Sequence, residues 1–343
     1  MSRVSRVSRA RVVASVSLGV GLVTLTLVQS GPAMADNPLA AATHAAQTLT
    51  FSGQLELKWY DDQGGHSAFV DVQSVAGDLQ IGGPSKLVAT LRQRYLVGPD
   101  GWDLLSPGDP AALGPAPPLS AKYHVAEAPG PVMLQRSTIE VDLGNAARPA
   151  ERLFLDKQTN LMLREEEFDA DGEPVRSVAF TYLTFAPSST PTPTPPARTV
   201  DDLGRRVGAN SLPAPYMDPA SLADGYHRVG VMEDLNGIQV VYSDGLHGLS
   251  VFERIGAFDS RSLPAGGEPV AIGRWGGERY VWAGGQLVVW QERGATYAVV
   301  GDAPAAEVVA AADHLPAARG GSPWQRLRHA CRRLVQAVSG TWS

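Results

Sequence analysis

The sequence predicts a β-rich α+β protein: an open antiparallel sheet with helices, a proline-rich linker, and a smaller antiparallel β domain with a helix. Three observations lead there. Leu49 to Tyr60 alternates apolar and polar residues with a period of two, the signature of a half-buried strand. Asp244-Gly245 sits between two β-branched and aromatic runs, as a hairpin turn requires. Ser188 to Pro196 reads S-S-T-P-T-P-T-P-P, which forbids regular pairing and favours an extended, semi-rigid spacer.

A length of 343 residues suits two domains large enough to bury their own cores. The single cysteine, Cys331, excludes an intrachain disulfide and any thiol pair for zinc. Met1 to Ala35 has the parts of a cleavable secretory signal: arginines at 3, 6, 9 and 11, an apolar run from Val12 to Val28, and Ala33-Met34-Ala35. A retained membrane anchor is the other reading of the same run. Four of the 29 Lys and Arg residues lie in this leader, so the remainder carries 25 against 35 Asp and Glu. An acidic body of that kind makes nucleic acid an unsuitable partner.

The leader occupies 1–35, the first domain 36–186, the linker 187–198, the second domain 199–318 and a tail 319–343. In the first domain a short helix over Pro38 to Thr48 precedes the Leu49 to Tyr60 strand, with Leu49, Phe51, Leu55, Leu57 and Trp59 on one face. Ser67 to Gln73 returns with Ala68, Val70 and Val72 inward. Strands follow at Leu79 to Gly82, Lys86 to Val97 and Trp102 to Leu105. After a Pro, Gly and Ala-rich loop from Pro107 to Pro118 they resume at Ala121 to Ala126, Val132 to Leu143, Arg152 to Asp156, Leu161 to Asp169 and Val175 to Phe185. The linker is expected to hold the two domains apart.

In the second domain Tyr226 to Glu233 precedes the Asp244 hairpin. A two-residue turn bracketed by Ser243 and Leu246 places Ile238, Val240 and Tyr242 on a face with His247, Leu249 and Val251, while Val241 and Phe252 point away; a bulge at Gly248 is the alternative and slips the register by one residue. Strands at Pro269 to Trp275, Arg279 to Ala283, Gln286 to Gln291 and Thr296 to Val300 follow, with Gly276-Gly277 and Gly284-Gly285 as turns. Asp302 is placed to cap a helix over Ala303 to Ala312. In the tail, Trp324, Leu327, Cys331, Leu334, Val335 and Val338 recur at helical spacing beside Arg326, Arg328, Arg332 and Arg333. That is a basic amphipathic helix, suited to a membrane surface or to the protein's own acidic body.

Three stretches resemble the RseB/MucB family of extracytoplasmic sigma-factor regulators. They are V-V-Y-S-D-G-L-H-G-L-S-V-F-E at Val240 to Glu253, the double hairpin from Arg152 to Phe185, and T-Y-A-V-V-G-D-A-P-A-A-E-V-V at Thr296 to Val309. The resemblance implies a first domain shaped like the lipoprotein carriers LolA and LolB. It also implies an exported protein, periplasmic or elsewhere in the cell envelope, that binds the extracytoplasmic domain of a membrane anti-sigma factor and modulates its proteolysis in envelope stress.

No hydrolase, P-loop, zinc-protease or paired-cysteine motif is present, so the sequence implies no enzyme, no cofactor and no metal site. The candidate functional residues therefore belong to surfaces and cavities. Phe51, Leu55, Leu57, Trp59, Val70 and Val72 are candidates for lining a lipid cavity, although a self-filled core presents the same stripe. Tyr242, His247 and Phe252 are candidates for a partner surface, with cross-strand packing as the alternative. Trp324, Arg326, Leu327, Arg328, Arg332 and Arg333 are candidates for peripheral membrane contact. The alternative function is a lipid or lipoprotein carrier built on the first domain. The acidic run Glu165 to Glu167 reads as a solvated strand end, with contact to a basic partner as the alternative.

Overall fold

A computed structural model describes residues 38–75, 78–83, 117–145, 148–185, 205–207, 216, 218–233, 238–255, 266–282 and 285–315. The leader, the linker over 187–198, the strands over 86–97 and 102–105, most of the loop from Pro107 and the tail helix with Trp324, Arg326, Leu327, Arg328, Arg332 and Arg333 lie outside them.

The first domain opens with α1 (Pro38–Thr48). Its strands are β1 (Phe51–Asp61), β2 (Gly64–Val75), β3 (Asp78–Gly82), β4 (His124–Pro129), β5 (Thr138–Asn145), β6 (Arg148–Asp156), β7 (Met162–Phe168) and β8 (Pro174–Phe185). They form one antiparallel sheet in the order β3-β2-β1-β8-β7-β6-β5-β4. Two meanders, β1 to β3 and β4 to β8, are joined where β1 pairs with β8. The alternation in β1 works as expected: Phe51, Leu55 and Leu57 are buried with Val70, Val72 and Val178, and the intervening residues face outward. Leu39 and Ala42 of α1 pack on Val141, Leu143, Leu153 and Leu155, so the helix covers the β5 and β6 part of the same face.

The second domain comprises β9 (Arg205–Val207), β10 (His227–Glu233), β11 (Ile238–Ser243), β12 (Gly248–Ile255), β13 (Glu268–Ile272), β14 (Trp275–Trp282), β15 (Gly285–Glu292), β16 (Ala295–Gly301) and α2 (Ala305–His314). Its eight-stranded sheet runs β13-β14-β15-β16-β12-β11-β10-β9. The scheme is the same: two meanders, joined here at β12 and β16. One face carries Val240, Tyr242, Leu249, Val251, Tyr297 and Val299 under Val308, Ala311 and Ala312 of α2. The other carries Tyr280, Leu287, Val289 and Val300 with Phe252.

Local turn chemistry corrects three expectations. The Asp244 hairpin closes on Ser243 and Gly248, with Tyr242 opposite Leu249 and Val240 opposite Val251. Four residues form the loop because the Asp244 carboxylate accepts the Leu246 and His247 N–H groups at 3.0 and 2.7 Å. The register moves by two residues, so the face assignment of the strands survives and Leu246 and His247 leave the ladder. Gly276 and Gly277 lie inside β14. The turn is at Gly273-Arg274, where Gly273 has φ 53 and Ile272 faces Trp275. Asp302 does not cap α2; its Oδ1 accepts the Gly248 N–H at 2.8 Å, and Pro304 precedes the helix with no side-chain cap.

The two domains are in contact, which corrects the expectation of domains held apart. At the β1–β2 turn, Arg279 of β14 reaches Asp62 at 3.5 Å, and the Asp62 N–H reaches Glu268 at 3.4 Å. The second meeting point, around Asp244, is far more buried.

Candidate functional site: the junction of the two domains

A 3-10 turn over Leu119–Ala121 delivers two side chains of the first domain to the second. Backbone N–H groups of Lys122 and Tyr123 close on Leu119 O at 3.1 and 2.9 Å, fixing the direction in which both residues leave the turn. Opposite them is Asp244, 1% exposed. One of its carboxylate oxygens is engaged by the hairpin loop, and the other accepts Lys122 Nζ at 2.7 Å and the Tyr123 hydroxyl at 2.5 Å. A single side chain thus shapes its own loop and ties that loop to the other domain.

Lys122 has a second acidic partner. Glu307, in the first turn of α2, accepts Lys122 Nζ at 3.0 Å and the Tyr226 hydroxyl at 2.8 Å, and the helix N-terminus favours a carboxylate there. The ammonium also lies 5.1 Å from both the Tyr123 and Tyr226 ring centroids. Burial works against its charge, but Asp244 and Glu307 more than offset this and hold its pKa above the usual lysine value. Burial, and then the Asp244 and Glu307 carboxylates, push the Tyr123 phenol above its ordinary range; the hydroxyl is a donor only.

Packing reinforces the ion pairs. Leu246, at the tip of the hairpin loop, joins the first-domain cluster of Leu39, Tyr123, Val141 and Leu153. Gly245 has φ 99, and a Cβ there would lie 2.7 Å from Pro117 O; the backbones approach as closely as glycine permits. The His247 ring meets Tyr123 edge-on at 6.2 Å, with Nδ1 4.0 Å from Asp302 and Nε2 buried without a hydrogen bond.

Behind this contact the inner face of the first sheet carries charge. Register places Glu151 of β6 opposite Glu167 of β7, and Glu167 opposite Arg176 of β8. Glu151, Glu165, Glu167 and Arg176 are all buried, and Arg176 forms an ion pair with Glu167. The carboxyl of Glu151 has one oxygen without a hydrogen bond. Its burial, followed by the neighbouring Glu165 and Asp302 and offset in part by Arg176, pushes its pKa well above the carboxylate range.

The structure gathers most of the proposed cavity residues on one face. Phe51, Leu55, Leu57, Val70 and Val72 belong to one packed cluster with Ile81 and Leu161. Trp59 is at its margin, stacked on His66 at 5.2 Å. Of the three residues read as a partner surface, two are buried. Tyr242 is wholly buried and its hydroxyl donates to Pro219 O at 2.9 Å, while His247 is 3% exposed inside the junction. Phe252 is half-buried against the second apolar cluster. Both follow from a sheet covered on its two faces.

Sequence reasoning missed Lys122, Tyr123, Glu151, Arg176 and Glu307. A signal existed for Glu165 and Glu167, which alternate in phase with Leu163 and therefore point inward, whereas Glu166 turns out toward Arg164. Among the described residues no group of three or more His, Cys, Asp or Glu is arranged to hold a metal ion. No described helix is long and apolar enough to cross a membrane. The chemistry on offer at the junction is ion pairing and hydrogen bonding.

No family model matches the chain and no curated protein matches it. Among solved structures it is similar to MucB in complex with MucA(peri), with 16% identity and a TM-score of 0.44, over 82% of this chain and 98% of that one. It is similar to the Pseudomonas aeruginosa MucA/MucB complex at 16% identity and 0.45 over the same shares. A crystal structure of MucB matches at 18% identity and 0.39, over 84% of this chain and 99% of that one.

Proposed function

We propose that this protein is a non-enzymatic extracytoplasmic regulator that binds the external segment of a membrane anti-sigma factor and modulates its proteolysis. One observation carries the reading. The three stretches that resemble the RseB/MucB family lie far apart in sequence, yet residues from all of them converge on the junction: Glu165, Glu167 and Arg176 from Arg152 to Phe185, Asp244 and His247 from Val240 to Glu253, Asp302 and Glu307 from Thr296 to Val309. The stretches that carry the resemblance thus meet at a joint between domains, and a joint of this kind suits a protein that grips a partner with both.

Calorimetry of the full protein, without its leader, against the external segment of a single-pass anti-sigma factor from the same cell tests this. Saturable binding with a micromolar or tighter Kd is expected, and deletion of the gene should raise sigma-dependent transcription. Absence of heat together with absence of competition in a pull-down would remove the proposal.

A further inference from the structure

The junction holds more acid than base. Glu151, Glu165, Glu167, Asp244, Asp302 and Glu307 converge there, and the permanent cations among them are Lys122, spent on Asp244 and Glu307, and Arg176, engaged by Glu167. Glu151 is ion-paired to neither of these cations. It is 1% exposed, with an oxygen that no donor reaches.

Strand β5 places the apolar Leu143 opposite Glu151, and the groups that titrate or carry charge come from the other elements around it. Glu165 and Glu167 come from β7 and Arg176 from β8. Tyr123 and Lys122 come from the 3-10 turn, Asp244 and His247 from the hairpin loop, and Asp302 from the entry to α2. The charges that Glu151 senses thus belong to both domains.

We infer that the junction is a proton-operated clasp, closed while Glu151 is neutral and loosened when it ionises and repels Asp302 and Asp244 across the domain boundary. The sign follows from the surroundings. A buried carboxyl facing other carboxylates keeps its proton to higher pH in the docked form than in the separated one. Docking is therefore favoured in acid, and the advantage is lost as pH rises through the docked-state pKa.

The test uses the full chain carrying spin labels at Lys157→Cys and His314→Cys, both exposed positions in different domains, with Cys331→Ser to remove the native thiol. Distances are measured from mildly acidic to mildly alkaline solution, and far-UV circular dichroism verifies that both sheets persist. In the unmodified junction the label distance lengthens and its distribution broadens on the alkaline side. Glu151→Gln, which keeps the shape of the protonated acid, loses this dependence and stays closed throughout. Asp244→Asn, which removes the charge that Lys122 holds, opens at every pH. A label distance that ignores pH, a Glu151→Gln protein that opens like its parent, or an Asp244→Asn protein that stays closed in acid would each overturn the inference.

Discussion

Asp244 does two jobs with one carboxylate: it terminates the β11–β12 hairpin and it receives the Lys122 and Tyr123 donors of the other domain. Removing it leaves Lys122 partly buried with one acidic partner fewer. Breaking a buried pair costs about 3–5 kcal/mol, and with Lys122 about a quarter exposed the lower end applies. Asp244→Ala should therefore lower stability by about 3 kcal/mol in urea titrations. Glu307→Ala, at a more exposed site, should cost about 1 kcal/mol. Glu253 supplies a separate prediction. Burial in the second-domain core, with Asp218 nearby, raises its pKa to about 8, a shift that the Tyr297 hydrogen bond reduces. Because the folded-state pKa lies above the unfolded one, its contribution to stability is fully present below the ordinary carboxylate range and is lost as pH rises through about 8. Denaturation midpoints should fall across that window, and Glu253→Gln should flatten the fall.

At the scale of elements, the hairpin loop and the 117–119 segment are fitted backbone to backbone. Gly245→Ala brings a Cβ against Pro117 O and forces alanine into positive φ, and should cost about 1–3 kcal/mol in thermal or urea unfolding. Most of the elements were legible in the sequence because their causes are local. The period of two in Phe51 to Tyr60 fixes which face of β1 is buried, and the Asp244-Gly245 dipeptide fixes where β11 must reverse. Two of the misreadings involve a distant partner. Gly276-Gly277 and Gly273-Arg274 compete as turns on equal local terms, and pairing with β13 and β15 decides between them. Asp302 looks like a helix cap until Gly248, across the sheet, claims its carboxylate. The candidate site was hidden for the same reason: Lys122 and its acidic partners are 122 and 185 positions apart, a pairing that no local pattern announces.

For the whole molecule, the buried junction makes the two sheets interdependent despite separate cores. The intact chain should melt in one calorimetric transition, and Asp244→Ala should resolve it into two as each core unfolds on its own terms. Two well-separated transitions in the unaltered protein would mean that the contact carries little energy. The pH effect of Glu253 belongs to the second core and that of Glu151 to the joint, so stability and label distance should respond to different substitutions.

The contact of Arg279 with Asp62 and Glu268 acquires its meaning from the first attachment. Two points of fixation define a line, and rotation about that line is the one rigid-body freedom they leave. The outer point depends on an Asp62 side chain that is 69% exposed, and salt screens an ion pair of that sort while sparing the interior one. Raising ionic strength should thus convert a single-axis swing into motion about a lone pivot, increasing the angular range of one sheet against the other before the buried attachment yields.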